Sequence, residues 1–141
     1  MRTIKFRGKC CHSDAWAFGN LVDYGEDENP EIQGFDVYHE GRDVWQERSV
    51  ERDTIGQFTG LHDKNGKEIY EGDIISSKML PQIKHLIFYN EKQGKFMAGL
   101  YGKTNIYDFG VCGVDNPAWM AEKEVIGNIH DNPKLLENEK D

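Results

Sequence analysis

The chain has 141 residues, enough for one domain with a substantial core or one domain with an appendage. Hydrophobic residues make up 38% and charged residues 30%, a globular balance that excludes disorder, and no run approaches the ~20 apolar residues of a membrane-spanning helix. Seventeen basic against 25 acidic side chains leave a net charge of −8, which disfavours plain duplex-DNA binding through repulsion from phosphate.

In chain order, Ile4 and Phe6 alternate with Lys5 and Arg7, the period of a half-buried strand over Thr3–Arg7. The start is charged and lacks an apolar central region, so no secretory signal is expected. Ala15–Asp23 is a second strand, weakened by Gly19, and the acidic stretch Tyr24–Glu31 with Pro30 is a loop. Gln33–His39 is a third strand. Val44–Asp53 mixes charge with Val44, Trp45 and Val50 and fits a short helix or a strand. Ile55–Leu61 and Glu68–Tyr70 flank Asp63-Lys64-Asn65-Gly66, where Asp can bond its own downstream backbone and Gly accepts positive φ. A type I turn closed by a glycine bulge, hence a hairpin, is predicted there. Glu71-Gly72-Asp73 turns the chain into Ile74–Lys78. Ile83–Tyr89 is a strong strand, and Asn90–Gly94 turns it into Lys95–Leu100. Residues 101–117 are glycine-rich and loop-like, Ala118–Lys123 fits one helical turn, and Glu124–His130 is the last strand. Asn132 is expected to cap a short helix with Pro133 in its first turn.

The expected fold is mostly β: strands and hairpins with a small SH3-like barrel in the C-terminal half and few short helices, with an α+β arrangement as the alternative. One domain over residues 1–141, and an N-terminal β subdomain (1–53) packed on a C-terminal barrel (54–136), are both compatible with this pattern. Residues 137–141 are expected to fray.

Few residues suggest chemistry. Gly102-Lys103-Thr104 resembles the end of a phosphate-binding loop, but Met97 stands where that loop needs its first glycine, and no helix follows. Cys10-Cys11-His12 is a poor zinc motif, because adjacent residues of a strand point to opposite faces. With Cys112 the cysteine count is odd, which reads as reduced thiols rather than a disulfide framework. His12, His39, His62, His85 and His130 are scattered, and His85 sits inside an apolar strand as a core residue. At His62-Asp63 and His130-Asp131 the aspartates fall in turns and are expected to bond backbone. No catalytic residue, cofactor or metal is expected. The candidate interaction residues are the bulky anchors Trp16, Trp45 and Trp119, with Lys5 and Arg7 from a basic start that also holds Arg2 and Lys9. An acidic segment, Asp23, Glu26, Asp27, Glu28 and Glu31, follows it.

Residues 54–75 read TIGQFTGLHDKNGKEIYEGDII, which resembles the central signature of the YopX family of phage and prophage proteins. The opening IKFRG and the closing EVIGNIHDNP resemble that family's ends, so the likeness spans nearly the whole chain. The segment from about Val22 to Ser49 matches nothing in the family pattern, and two single positions depart from it: His62 replaces a basic residue and His130 an aromatic. The resemblance implies a phage or prophage origin and a bacterial cytoplasm, and it transfers no catalytic residue. The resulting expectation is a non-catalytic accessory protein that binds a host or phage protein. A nucleic-acid-binding module on the small barrel is the alternative, disfavoured by charge, and an enzyme comes third. Homo-oligomers are compatible with the sequence, and no membrane partner is expected.

Overall fold

The computed structural model describes residues 1–37, 43–101, 106–107 and 121–137, with the side chains of 1–34, 44–99 and 121–137. The sequence-singled residues His39, Cys112, Trp119 and Gly102-Lys103-Thr104 lie outside the described side chains. The chain divides into two compact units, Met1–Phe58 and Thr59–Asp141.

The first unit is antiparallel. It holds β1 (Phe6–Lys9), β2 (Trp16–Val22), β3 (Glu31–Val37), β4 (Asp43–Ser49) and the start of β5 (Gly56–His62), ordered β4-β3-β2-β1-β5. Val44–Asp53, open to either reading in the sequence, resolves as strand β4 followed by a 3-10 turn over Arg52–Thr54. Seven consecutive positions of β4 pair with β3, and that ladder decides against helix. The turn is fastened to β1 by Thr54, whose Oγ1 accepts from the Lys9 amide at 2.8 Å and donates to the Glu51 carbonyl at 2.6 Å. Cys10, Ala17, Ile32 and Val50 form the core, flanked by Phe6, Leu21 and Ile55. Each large aliphatic side chain buried this way contributes about 1.5–3 kcal/mol.

The opening strand differs from its predicted pattern. Ile4 precedes β1 and is exposed, whereas Arg7 is buried. β1 lies between β2 and β5 with both of its edges paired, and Arg7 and Gly8 are buried in succession, so simple alternation fails. Gly8 makes this possible: a Cβ there would lie 2.8 Å from Val50 Cβ, inside contact distance.

In the second unit the later half of β5 neighbours β6 (Glu68–Tyr70). A five-stranded antiparallel sheet contains β7 (Asp73–Ser77), β8 (Lys84–Asn90), β9 (Lys95–Tyr101), β10 (Ile106–Tyr107) and β11 (Lys123–Asn128), ordered β10-β9-β8-β7-β11. The chain is thus mostly β, with only short 3-10 helices among the described residues. The expected barrel is not closed among them, because β10 and β11 stand at opposite ends of the strand order. Ile69, Ile75, Ile87 and Ala98 form the core here, backed by Leu61, Phe96 and Val125. β11 shifts register between Val125 and Gly127, a bulge that leaves Ile126 exposed.

The short C-terminal helix is a 3-10 helix over Pro133–Leu136, and Asn132 does not cap it through its side chain. Asn132 Oδ1 instead accepts from the Asn128 amide at 3.2 Å, which closes the turn after β11.

Candidate functional site

Three of the five sequence candidates lie around β1. The Arg7 guanidinium stacks 4.8 Å from the centre of the Trp16 ring. Lys9 and Trp16 are direct cross-strand partners, as are Arg7 and Phe18, so Arg7 reaches Trp16 diagonally. A guanidinium is weakly hydrated and planar, which suits this stack and lets Arg7 be buried. Lys5 Nζ lies 5.8 Å from the Phe58 ring centre. Trp45 is not part of this group. It sits on β4 with β3 between it and β2, is 43% exposed, and donates from Nε1 to Glu47 Oε1 at 3.3 Å. Trp119 lies outside the described residues.

The acidic segment is an ordered loop. Arg52 donates to both carboxylate oxygens of Asp23 at 3.0 Å and to the Gly25 and Glu28 carbonyls at 2.7 and 3.2 Å. This hydrogen bonding, first from the Arg52 side chain and then from the Gly25 amide, holds the Asp23 carboxyl below the usual carboxylate range. Tyr24 donates to Glu31 at 2.8 Å, and that bond pushes the phenol above its usual value.

Three buried titratable groups of the second unit, Asp63, Asp73 and His85, are taken up by the backbone or the core. Asp63 is buried and starts the predicted turn. Its Oδ1 accepts from the Asn65 and Lys67 amides at 2.8 and 2.9 Å, and its Oδ2 from the Val125 amide at 3.0 Å. The turn closes as predicted, with the Gly66 amide donating to the Asp63 carbonyl at 3.0 Å and Gly66 at φ +85°. Burial works to raise the Asp63 carboxyl, but the three amides outweigh it and hold the group below its ordinary range. The same turn docks on β11: the Lys64 amide donates to the Lys123 carbonyl at 3.0 Å, and Lys64 Nζ lies 3.8 Å from Glu124. Asp73, also buried, accepts from the Tyr70 amide at 2.8 Å. His85 is buried, as its apolar strand predicts. Burial, reinforced by Lys123, pushes its imidazole down to about 4, so it is neutral at pH 7.

The two described thiols, Cys10 and Cys11, stand apart from any metal-ligand cluster among the described residues. Cys10 is buried opposite Val50, and the Cys11 thiol is pushed up by burial, then by Glu51 and Cys10. A raised thiol is a poor nucleophile at neutral pH. Among the described residues no three His, Cys, Asp or Glu side chains gather as metal ligands do.

One surface feature escapes the strand-by-strand reading. Between β7 and β8 the loop Lys78–Ile83 exposes Met79 (85%), Leu80 (49%) and Ile83 (37%). The sequence expectation began the next strand at Ile83, but β8 begins at Lys84 and Ile83 belongs to the loop. The loop is ordered. Ser77 accepts the Met79 amide on Oγ and the Leu80 amide on its carbonyl, both at 3.2 Å, and the Ile83 amide donates to the Leu80 carbonyl at 3.1 Å. Ser76 Oγ donates to the Pro81 carbonyl at 3.3 Å. The available signal was an apolar Met-Leu-Pro run inside a turn segment, where polar residues are the rule.

The crystal structure of protein EF1440 from Enterococcus faecalis is similar to this fold, with a TM-score of 0.56 and 26% identity over 97% of this chain and 100% of that one. No match is found among curated proteins. The family model described as YopX protein matches residues 5–137, which contain the central and closing motifs and all of the opening one but Ile4. With nearly its whole length matched, the chain belongs to the YopX family.

Proposed function

We propose that this protein is a non-catalytic accessory protein of phage or prophage origin, working in the bacterial cytoplasm by binding another protein. The observation that carries the reading is the ordered β7–β8 loop, which holds Met79, Leu80 and Ile83 out in solvent. Apolar side chains clustered on a fixed backbone suit a binding surface better than a solvated turn. The non-catalytic part is supported by the duties of the polar groups. Asp63 and Asp73 serve backbone amides, and His85 is neutral within the core.

The nucleic-acid alternative has less support. Phosphate contact calls for clustered, accessible cations. Arg7 is buried on Trp16, and Lys84 and Lys95 sit at opposite ends of the β8–β9 ladder, about 20 Å apart at strand rise. Neither unit is basic: Met1–Phe58 carries 12 acidic against 7 basic residues, and Thr59–Asp141 carries 13 against 10.

A pull-down from host lysate with the full chain and with its Leu80→Ser variant tests the proposal. A specific partner recovered by the wild type and lost by the variant is the expected result. Recovery of the same specific partner by both removes the loop as the binding surface, and recovery of none removes the protein-binding reading.

A further inference from the structure

We infer that the Lys78–Ile83 loop, with Lys84 at the start of β8, docks into an apolar pocket rimmed by acidic side chains on the partner protein, an inference that rests on the protein-binding reading above. The loop contributes two kinds of side chain. Met79, Leu80 and Ile83 form an exposed apolar tip, and Met79 can adapt its thioether to an irregular pocket. Lys78 and Lys84 bracket the tip, and residues 74–90 contain no acidic side chain in a protein with 25 of them. On β11, Lys123 faces Ser77 at the base of the loop, and its neighbour Glu124 is engaged by Lys64 and Asn65. The loop is therefore a locally basic, apolar projection on an acidic molecule. Its hydrogen bonds to Ser76 and Ser77 fix its shape before binding, which reduces the ordering cost of association.

The charge pattern separates the occupants. A second copy meeting tip to tip would bring Lys78 and Lys84 against their own equivalents, a like-charge contact that opposes association. An anionic bilayer would meet only three aliphatic side chains on a body of net charge −8. A whole myristoyl chain holds a protein to a membrane only marginally, so this loop falls short. A nucleic acid would find no aromatic side chain among residues 78–84 on which to stack. An apolar pocket with carboxylates at its rim satisfies both parts of the loop.

The test uses the full chain with the photo-crosslinker benzoylphenylalanine at Met79 and, in a second protein, at Trp45, irradiated in host lysate. The expected result is a discrete adduct from position 79 and none from position 45. The yield should fall about tenfold with K78E/K84E or with Leu80→Ser, and should weaken as salt is raised. The cross-linked peptide should carry Asp or Glu beside its apolar residues. An adduct from position 45 alone overturns the docking loop and leaves the protein-binding reading standing, whereas no adduct from either position overturns both. An adduct at 79 that is indifferent to charge reversal overturns the acidic rim. An adduct of two copies of this chain identifies self-association. Sedimentation with phosphatidylcholine–phosphatidylglycerol vesicles, abolished by Leu80→Ser, identifies a lipid surface. Either of these last two results overturns the inference.

Discussion

Replacing Asp63 tests whether the most distinctive motif of this chain is a structural tether. Its carboxylate accepts three backbone amides, two from its own turn and one from Val125 on β11, 62 residues away. Hydrogen bonds to a charged acceptor are worth about 1.5–3 kcal/mol each when no water can replace them. Asn65 and Lys67 stand on an exposed turn, where water recovers much of their loss, whereas the residue Val125 is half-buried. Asp63→Ala should therefore cost about 2–4 kcal/mol, a large part of the roughly 5–15 kcal/mol that holds a domain of this size together. Asp63→Asn keeps one acceptor oxygen and turns an N–H donor toward either the turn amides or Val125, so about 2 kcal/mol should be lost. Urea unfolding followed by far-ultraviolet circular dichroism should show the Asp63→Ala midpoint about 1–2 M lower. Amide exchange should place the loss at Val125, Asn65 and Lys67. Because the folded-state pKa lies below the unfolded value, the contribution is fully present above the unfolded pKa and disappears as pH falls through the folded one. The gap between wild type and Asp63→Asn should accordingly begin to narrow below about pH 4 and go on closing as the pH falls further. Asp27→Ala, at an exposed acid of the Tyr24–Glu31 loop, should stay within about 0.5 kcal/mol of wild type. An Asp63→Ala midpoint indistinguishable from that control would refute the tether.

Other positions give independent checks. His85 binds its proton near pH 4 when folded and near 6.5 when unfolded, so stability should fall by about 2 kcal/mol between pH 7 and pH 5. His85→Gln should flatten that slope in urea titrations at the two pH values, and an unchanged slope would place the imidazole in solvent. Gly8→Ala puts a methyl against the fully buried Val50 and should cost about 1–3 kcal/mol, read as a lower thermal midpoint. Arg52→Lys removes the fork that holds Asp23, Gly25 and Glu28. Limited proteolysis should then cut within residues 23–30, where the wild type should resist.

What could be read from the sequence was what is encoded locally. The Asp63–Gly66 turn was legible because its chemistry lies within five residues, and His85 because an apolar run surrounds it. Arg7 was misplaced because its burial depends on Trp16 across the ladder and on β5 at its other edge, and both depend on register between distant segments. Asn132 was read as a helix cap from its place before Pro133, yet its side chain bonds back to Asn128, because the turn closed by the Asn132 amide on the Asn128 carbonyl sets the two side by side. The tryptophans drew the interaction reading through their size. Size does not reveal that one lies under a guanidinium, nor that Met79 and Leu80 stand in water.

The tether and the docking loop share one end of the second sheet. Asp63 and Lys64 fasten their turn to Val125 and Lys123 of β11, and Lys123 faces Ser77, from which the loop springs. If the tether supplies stability and the loop supplies contact, substitutions in the two must separate cleanly. Asp63→Ala should lower the urea midpoint and, while the protein remains folded, preserve the position-79 adduct. Leu80→Ser, at a half-exposed side chain, should cost no more than about 1 kcal/mol, well short of Asp63→Ala, and lose the adduct. A Leu80→Ser protein as destabilised as Asp63→Ala would make the loop part of the core of this unit. The assignment of the loop to binding would then fail, even if the pull-down had lost its partner.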